Sequence, residues 1–155
     1  LHFKTKYDVL VPIIQERAEY WDAKVQDNLG EMEDPAEVLS FAARHMARIA
    51  LQDPLWRWFL EHSGVPVEDM RQAVGRFGAR DFGRGLMTGR FQVPDLTVAT
   101  SFIFGAYVNT LLTSLKVEDP DTAVDQMVEM MLRVVGLSPE EAQNIAHAPL
   151  DPLPN

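Results

Sequence analysis

Cysteine does not occur in this 155-residue chain, which excludes disulfides and thiolate metal sites and leaves the redox compartment open. Basic residues are scarce: 14 Lys and Arg stand against 23 Asp and Glu, a net charge of −9. A surface that grips phosphate needs Lys and Arg gathered on one face, so this segment is not itself built to hold nucleic acid. His2, His45, His62 and His147 show no metal-site spacing such as a helical pair four apart, and neither a metal nor a cofactor is expected. There is no nucleophile elbow and no base with an orienting partner, so no enzyme is predicted. The carboxylate pairs Glu31/Glu33 and Glu140/Glu141 sit where helix ends explain them. No stretch alternates in the manner of a strand, and no basic start leads into an apolar signal run.

One uncharged run, Leu96 to Leu115, is long enough to cross a bilayer. Its threonines and serines, and above all Asn109 near its middle, would be costly against lipid. A helix covered by protein fits better, and a cytoplasmic protein without a membrane segment is expected.

What the chain does have is punctuation. Asp34-Pro35, Asp53-Pro54, Asp119-Pro120 and Ser138-Pro139 each set a capping side chain before a proline suited to the first helical position. Two continue as capping boxes, to Glu37 and Glu141. Thr5 and Asp95 open two further helices. The pattern predicts an all-α protein of about seven helices, near 6–28, 35–51, 54–62, 66–88, 95–116, 120–135 and 139–147. Gly30, Gly64, Gly89 and Gly136 fall at or past helix ends. The proline-rich segment 148–155 is expected to be extended or disordered. Hydrophobic residues at 46% and charged residues at 24% are ordinary for a globular core.

The opening stretch His2-Phe3-Lys4-Thr5-Lys6-Tyr7-Asp8-Val9-Leu10 resembles the seam of the tetracycline-repressor (TetR) family, where a helix-turn-helix head meets a regulatory body. In that pattern His2-Phe3 ends the recognition helix and Thr5 caps the next one, which begins at Lys6 and continues with Asp8 and Leu10. Leu1 departs from it: the family usually has an aromatic there, most often Tyr, so one phosphate-contacting hydroxyl is missing. The resemblance implies residues 1–5 as the end of a mostly absent DNA-binding head and residues 6–147 as a ligand-binding and dimerisation domain. It implies phosphate contacts by His2 and Lys6, with operator DNA reached through the head.

Several faces carry candidate function. Val38, Phe41, Ala42, His45 and Ile49 form an apolar stripe, so His45 is either a core histidine or a polar contact in a cavity. Aromatic residues and methionines crowd the middle of the chain. In the resembling family the cavity lies between the helices that carry them. A mostly apolar pocket lined by some of His45, Trp56, Phe59, Met70, Phe77, Phe104 and Tyr107, suited to a small hydrophobic or aromatic effector, is predicted. Dense glycines at 75, 78, 83, 85 and 89 suggest either an interrupted helix or close helix packing. Arg76, Arg80, Arg84 and Arg90 among them suggest a solvated face rather than an anion site. Pro12, within the first helix, suggests a kink between head and body, a joint through which Tyr20 and Trp21 could move Lys6.

The helices near 95–116 and 120–135 offer more apolar area than one core requires. A homodimer joined by a four-helix bundle accounts for the surplus, with Phe102, Gly105, Asn109, Leu112, Met127, Met131 and Val134 at its interface. The leading functional reading is therefore the effector-binding and dimerisation body of a bacterial TetR-like regulator, a repressor released by a small ligand. The alternatives are a helical protein-interaction module without ligand and a small α-helical enzyme with an apolar pocket.

Overall fold

The computed structural model describes residues 6–62 and 67–155, and the side chains of all of these except 6, 7, 67–70 and 72–74. His2, Phe3, Thr5 and Gly64 lie outside the described residues, as do the side chains of Lys6 and Met70. The described chain forms α1 (Lys6–Asp27), α2 (Pro35–Gln52), α3 (Pro54–Glu61), α4 (Val67–Met87), α5 (Leu96–Ser114), α6 (Pro120–Val134) and α7 (Pro139–Ala146), with no strand among the described residues.

Capping chemistry sets these boundaries. Asp34, Asp53, Asp95, Asp119 and Ser138 each accept a backbone N–H from the first turn of the helix they precede. Asp53 serves two helices: its own N–H bonds to Ile49 O at the end of α2, and its carboxylate caps α3. The same carboxylate takes Arg17 of α1. Burial works against the ionised form, yet Arg17 and the N–H groups of Trp56 and Leu55 hold Asp53 below its ordinary range.

α2 packs against every other helix and is the axis of the fold. Its buried face is rich in small residues (Ala36, Ala42, Ala47, Ala50), which lets neighbouring backbones approach. On the α6 side Arg44 and Arg48 both reach Asp125, at 2.8 and 3.3 Å. With neighbours all round α2, an inward position is not a cavity position, and His45 illustrates this: it is buried with its ring edge-on to Phe41.

Three of the arginines read as a solvated face also tie elements together. Arg76 pairs with Glu19, Arg80 with Asp22, and Arg90 with both Asp34 and Glu141. The first two join α4 to α1. The last pins the α4–α5 loop to the start of α2 and to α7, and the Arg90 guanidinium holds the Asp34 carboxyl below its usual range despite partial burial.

Pro12 lies inside α1. α4 runs unbroken through its glycines, and Gly85 shows the use of one of them: a Cβ there would collide with the Phe91 ring. Gly30, Gly89 and Gly136 have φ of 63°, 74° and 109°. The segment after α7 has no regular structure, and Lys24 of α1 donates to the carbonyl of Pro154 at 3.0 Å.

Two alanine substitutions on one helix should therefore act with opposite sign. Gly83 has open space where a Cβ would stand, so Gly83→Ala gains helix propensity, up to about 1 kcal/mol, and raises Tm by a few degrees. Gly85→Ala must displace the Phe91 ring and should lower Tm, by about 1–3 kcal/mol of overpacking. Thermal melts of the two variants check both signs.

Candidate ligand-binding cavity

A cavity of about 150 Å³ lies between α1, α2, α4, α5 and the start of α3, with Met131 of α6 at its edge. Engineered apolar cavities of roughly this size hold a single benzene-sized ring. α2 contributes Leu39, Ala42, Ala43, Met46, Ile49 and Ala50, and α3 contributes Trp56. α4 adds Phe77 and Phe82, and α5 adds Ile103, Phe104, Tyr107, Val108 and Leu111. Exposed Gly78 and Ala79 of α4 also line it and place its opening on that helix.

Against this apolar wall stands a charged group. Arg80 makes a two-pronged pair with Asp22, at 2.8 and 2.9 Å, and donates through Nε to Asp81 at 3.1 Å. Both aspartates are among the residues that line the cavity, Asp22 from α1 and Asp81 from α4. Asp81 is almost fully buried, and burial pushes its carboxyl up despite the opposing pull of Arg80. The two aspartates raise the already high pKa of Arg80, which stays charged. Tyr107 donates its hydroxyl to Ala43 O at 2.8 Å; burial pushes its pKa up, so it remains neutral.

Of the residues expected from the sequence, Trp56, Phe77, Phe104 and Tyr107 line this cavity, whereas His45 and Phe59 do not. Phe59 is fully buried in the core, and the side chain of Met70 lies outside the described residues. Sequence reasoning passed over Asp22 and Asp81, although a signal existed. Asp22 falls on the buried spacing Ile14, Ala18, Val25 of α1, and Asp81 falls four residues after Phe77. A carboxylate on an apolar stripe marks either a tie or a site. α1 thus meets the cavity through Asp22; Tyr20 and Trp21, the side chains expected to move with ligand, are not among its lining, and Tyr20 is exposed with Lys24 over its ring.

A second hollow lies between α5 and α6, bordered by Phe102, Ile103, Ala106, Met130, Met131 and Val134. Phe102, Met130 and Val134 there are large exposed hydrophobics, with Val98 beside them. Of the expected interface residues, Phe102, Asn109 and Val134 are exposed and Gly105 is half-buried with open space at its Cβ position. Leu112 is half-buried against the core, and Met127 and Met131 are buried in the protomer, although both border the hollow. α5 is long and apolar enough to span a membrane by length and composition. One face of it, however, lines the cavity and bonds α2 through Tyr107.

The comparisons with known proteins agree with this architecture. Residues 34–148 match the family described as "Tetracyclin repressor-like, C-terminal domain". The solved structure of RolR in complex with the ligand resorcinol is 30% identical, with a TM-score of 0.85 over 98% of this chain and 76% of that one. RolR without ligand is 29% identical, with a TM-score of 0.83 over 99% of this chain and 80% of that one. None of the curated proteins matches the chain by sequence. The chain belongs to the TetR-like C-terminal domain family. It is the ligand-binding regulatory domain of a transcription regulator.

Buried His45 has an Nε2 without a partner among the described residues, and its pKa falls to about 4 through burial, then through Arg48 and Arg44. The folded pKa lies below the unfolded value of 6.5, so the folded state keeps the ring neutral while the unfolded chain takes up a proton. Its contribution to stability is complete above about pH 6.5 and is lost as pH falls toward 4, by about 3 kcal/mol in all. His45→Leu should flatten the loss of Tm between pH 6.5 and 4; an unchanged slope would assign that loss to other groups.

Proposed function

We propose that this chain is the effector-binding and dimerisation body of a TetR-like repressor, released from operator DNA by a small aromatic ligand bearing hydroxyl groups. The observation that carries the ligand class is the cavity: space for about one ring, apolar walls, and two aspartates, Asp22 and Asp81, in its lining. A phenolic hydroxyl can donate to a carboxylate, while the ring lies among Phe77, Phe104 and Leu111. That RolR has been solved with resorcinol supports the same class. The protein acts in this reading by binding rather than turnover, in the cytoplasm, with no cofactor.

Dimerisation follows from the outer face of α5 and α6. Val98, Phe102, Met130 and Val134 together form an exposed apolar band, and a second copy related by a two-fold axis would cover it as a four-helix bundle. Coupling to DNA runs through α1. From Lys6, the proposed phosphate contact, to Asp22 at the cavity is a helical span of roughly 24 Å. A hydroxyl competing for Asp22 or Asp81 alters how Arg80 ties α1 to α4, and α1 carries that change toward the head that His2 and Lys6 adjoin.

Calorimetric titration with resorcinol tests the site. The chain should bind it, and Asp22→Asn or Asp81→Asn should weaken binding roughly ten- to hundredfold, the worth of a charged hydrogen bond. Equal affinity for resorcinol in both variants would remove the carboxylates from the site. Sedimentation tests the assembly: the chain should be dimeric at micromolar concentration, and Gly105→Glu, whose Cβ meets nothing within 4 Å in its own protomer, should yield folded monomers. A monomeric wild-type chain would refute the dimer.

A further inference from the structure

We propose that the indole N–H of Trp56 is the donor by which the cavity selects a ligand with an acceptor oxygen, so that Trp56 determines specificity as well as shape. The inference rests on the aromatic-ligand reading above. Trp56 lines the cavity, only 4% of it is exposed, and its Nε1 is buried without a hydrogen-bond partner among the described residues. Indole N–H can only donate, so nothing but an acceptor relieves the cost of its desolvation.

No other polar group of the wall accepts from the indole in this structure. Tyr107 turns its hydroxyl to Ala43 O, and Thr100 donates to Leu96 O at 2.7 Å. Asp22 and Asp81 are engaged with Arg80. The lining is therefore rich in acceptors and holds one uncommitted donor among its described residues. The ligand that complements it donates at the carboxylates and accepts at the indole, with an apolar ring between. Trp56 is also held in place: its backbone N–H bonds to Asp53 at 3.2 Å, and Arg17 fixes that carboxylate. A site with a positioned, desolvated hydrogen-bonding group discriminates strongly against an analogue that leaves the group unpaired.

Two phenols of nearly equal shape separate this role from packing. 3-Hydroxybenzaldehyde carries an acceptor carbonyl where 3-hydroxystyrene carries a vinyl group, and both keep the hydroxyl for the carboxylate side. In the wild-type chain, calorimetry should favour the aldehyde, and in Trp56→Phe the ratio of the two affinities should fall about tenfold. Lost packing alone weakens both phenols and leaves the ratio unchanged, which would overturn the proposal. The unmodified chain gives a second readout that does not depend on the variant folding. The side-chain indole proton of Trp56, followed by NMR with the resonances of Trp21 and Trp58 as references, should move downfield with the aldehyde and not with the styrene. Equal movement with both would overturn the proposal as well. If neither phenol binds the wild-type chain, the aromatic-ligand reading falls and this inference falls with it.

Discussion

The bond between Arg80 and its two aspartates is the constraint on which the rest of the site depends. An ion group beside an apolar cavity is costly to desolvate, and the attraction compensates only where geometry and further hydrogen bonds are good. Arg80 meets that condition by filling both oxygens of Asp22 and bonding Asp81 through Nε. Replacing the group by hydrocarbon is often neutral or better for stability alone. What the group does in this fold is join α1 to α4 through two residues that line the cavity. The surrounding structure follows from this placement. α4 must lie close to α1, Arg76–Glu19 adds a second tie along the same seam, and Gly85 lets the Phe91 loop close beneath.

α5 has the opposite problem, since it carries no charge and must satisfy two sides. Its inner side holds Phe104, Tyr107 and Leu111 against the cavity, and its outer side leaves Val98 and Phe102 bare. Ile103 and Met131 border both the cavity and the outer hollow. In the proposed dimer a ligand and a partner subunit would thus press on the same two side chains from opposite sides. Close-packed side chains transmit such displacement because interiors have little free volume.

Most of the fold was legible in the sequence because its helix starts are written in local chemistry. Asp-Pro and Ser-Pro steps act on the residues next to them, and each of these residues caps its helix, although Asp34 accepts from Ala36 rather than Glu37 and the Glu141 carboxylate pairs with Arg90. The cavity was legible only as a neighbourhood. Trp56, Phe77, Phe104 and Tyr107 could be grouped by their aromatic character, but His45 could not be excluded, since α2 is enclosed on nearly all sides and helical periodicity does not distinguish core from cavity there. The partners of the arginines were hidden for a related reason. Arg76 and Arg80 look like a solvated stripe on α4, and their partners, Glu19 and Asp22, lie more than fifty residues away. Long-range pairing of charges leaves no periodic trace. Met127 and Met131 show a related limit: both are buried within the protomer and both border the outer hollow, a double role that helical periodicity does not reveal.

The size of the cavity bounds how regulation could work. A ligand of about eight non-hydrogen atoms has a ceiling near 12 kcal/mol of binding free energy, and real ligands fall well short of it. Driving a two-state equilibrium from 1:99 to 99:1 requires about 5.5 kcal/mol of difference between the two states. Apolar contacts with Leu39, Ile49 or Leu111 change little if those helices move together, and they add affinity to both states alike. The difference must come from groups whose arrangement depends on how α1 lies against α4. Asp22 and Asp81 are such groups: they sit on those two helices, they share Arg80, and they are among the residues lining the cavity. Hydrogen bonds to charged partners are each worth about 1.5–3 kcal/mol, so two made in one state and lost in the other reach the required range. A ring without hydroxyls could fill the cavity and still leave the equilibrium where it was.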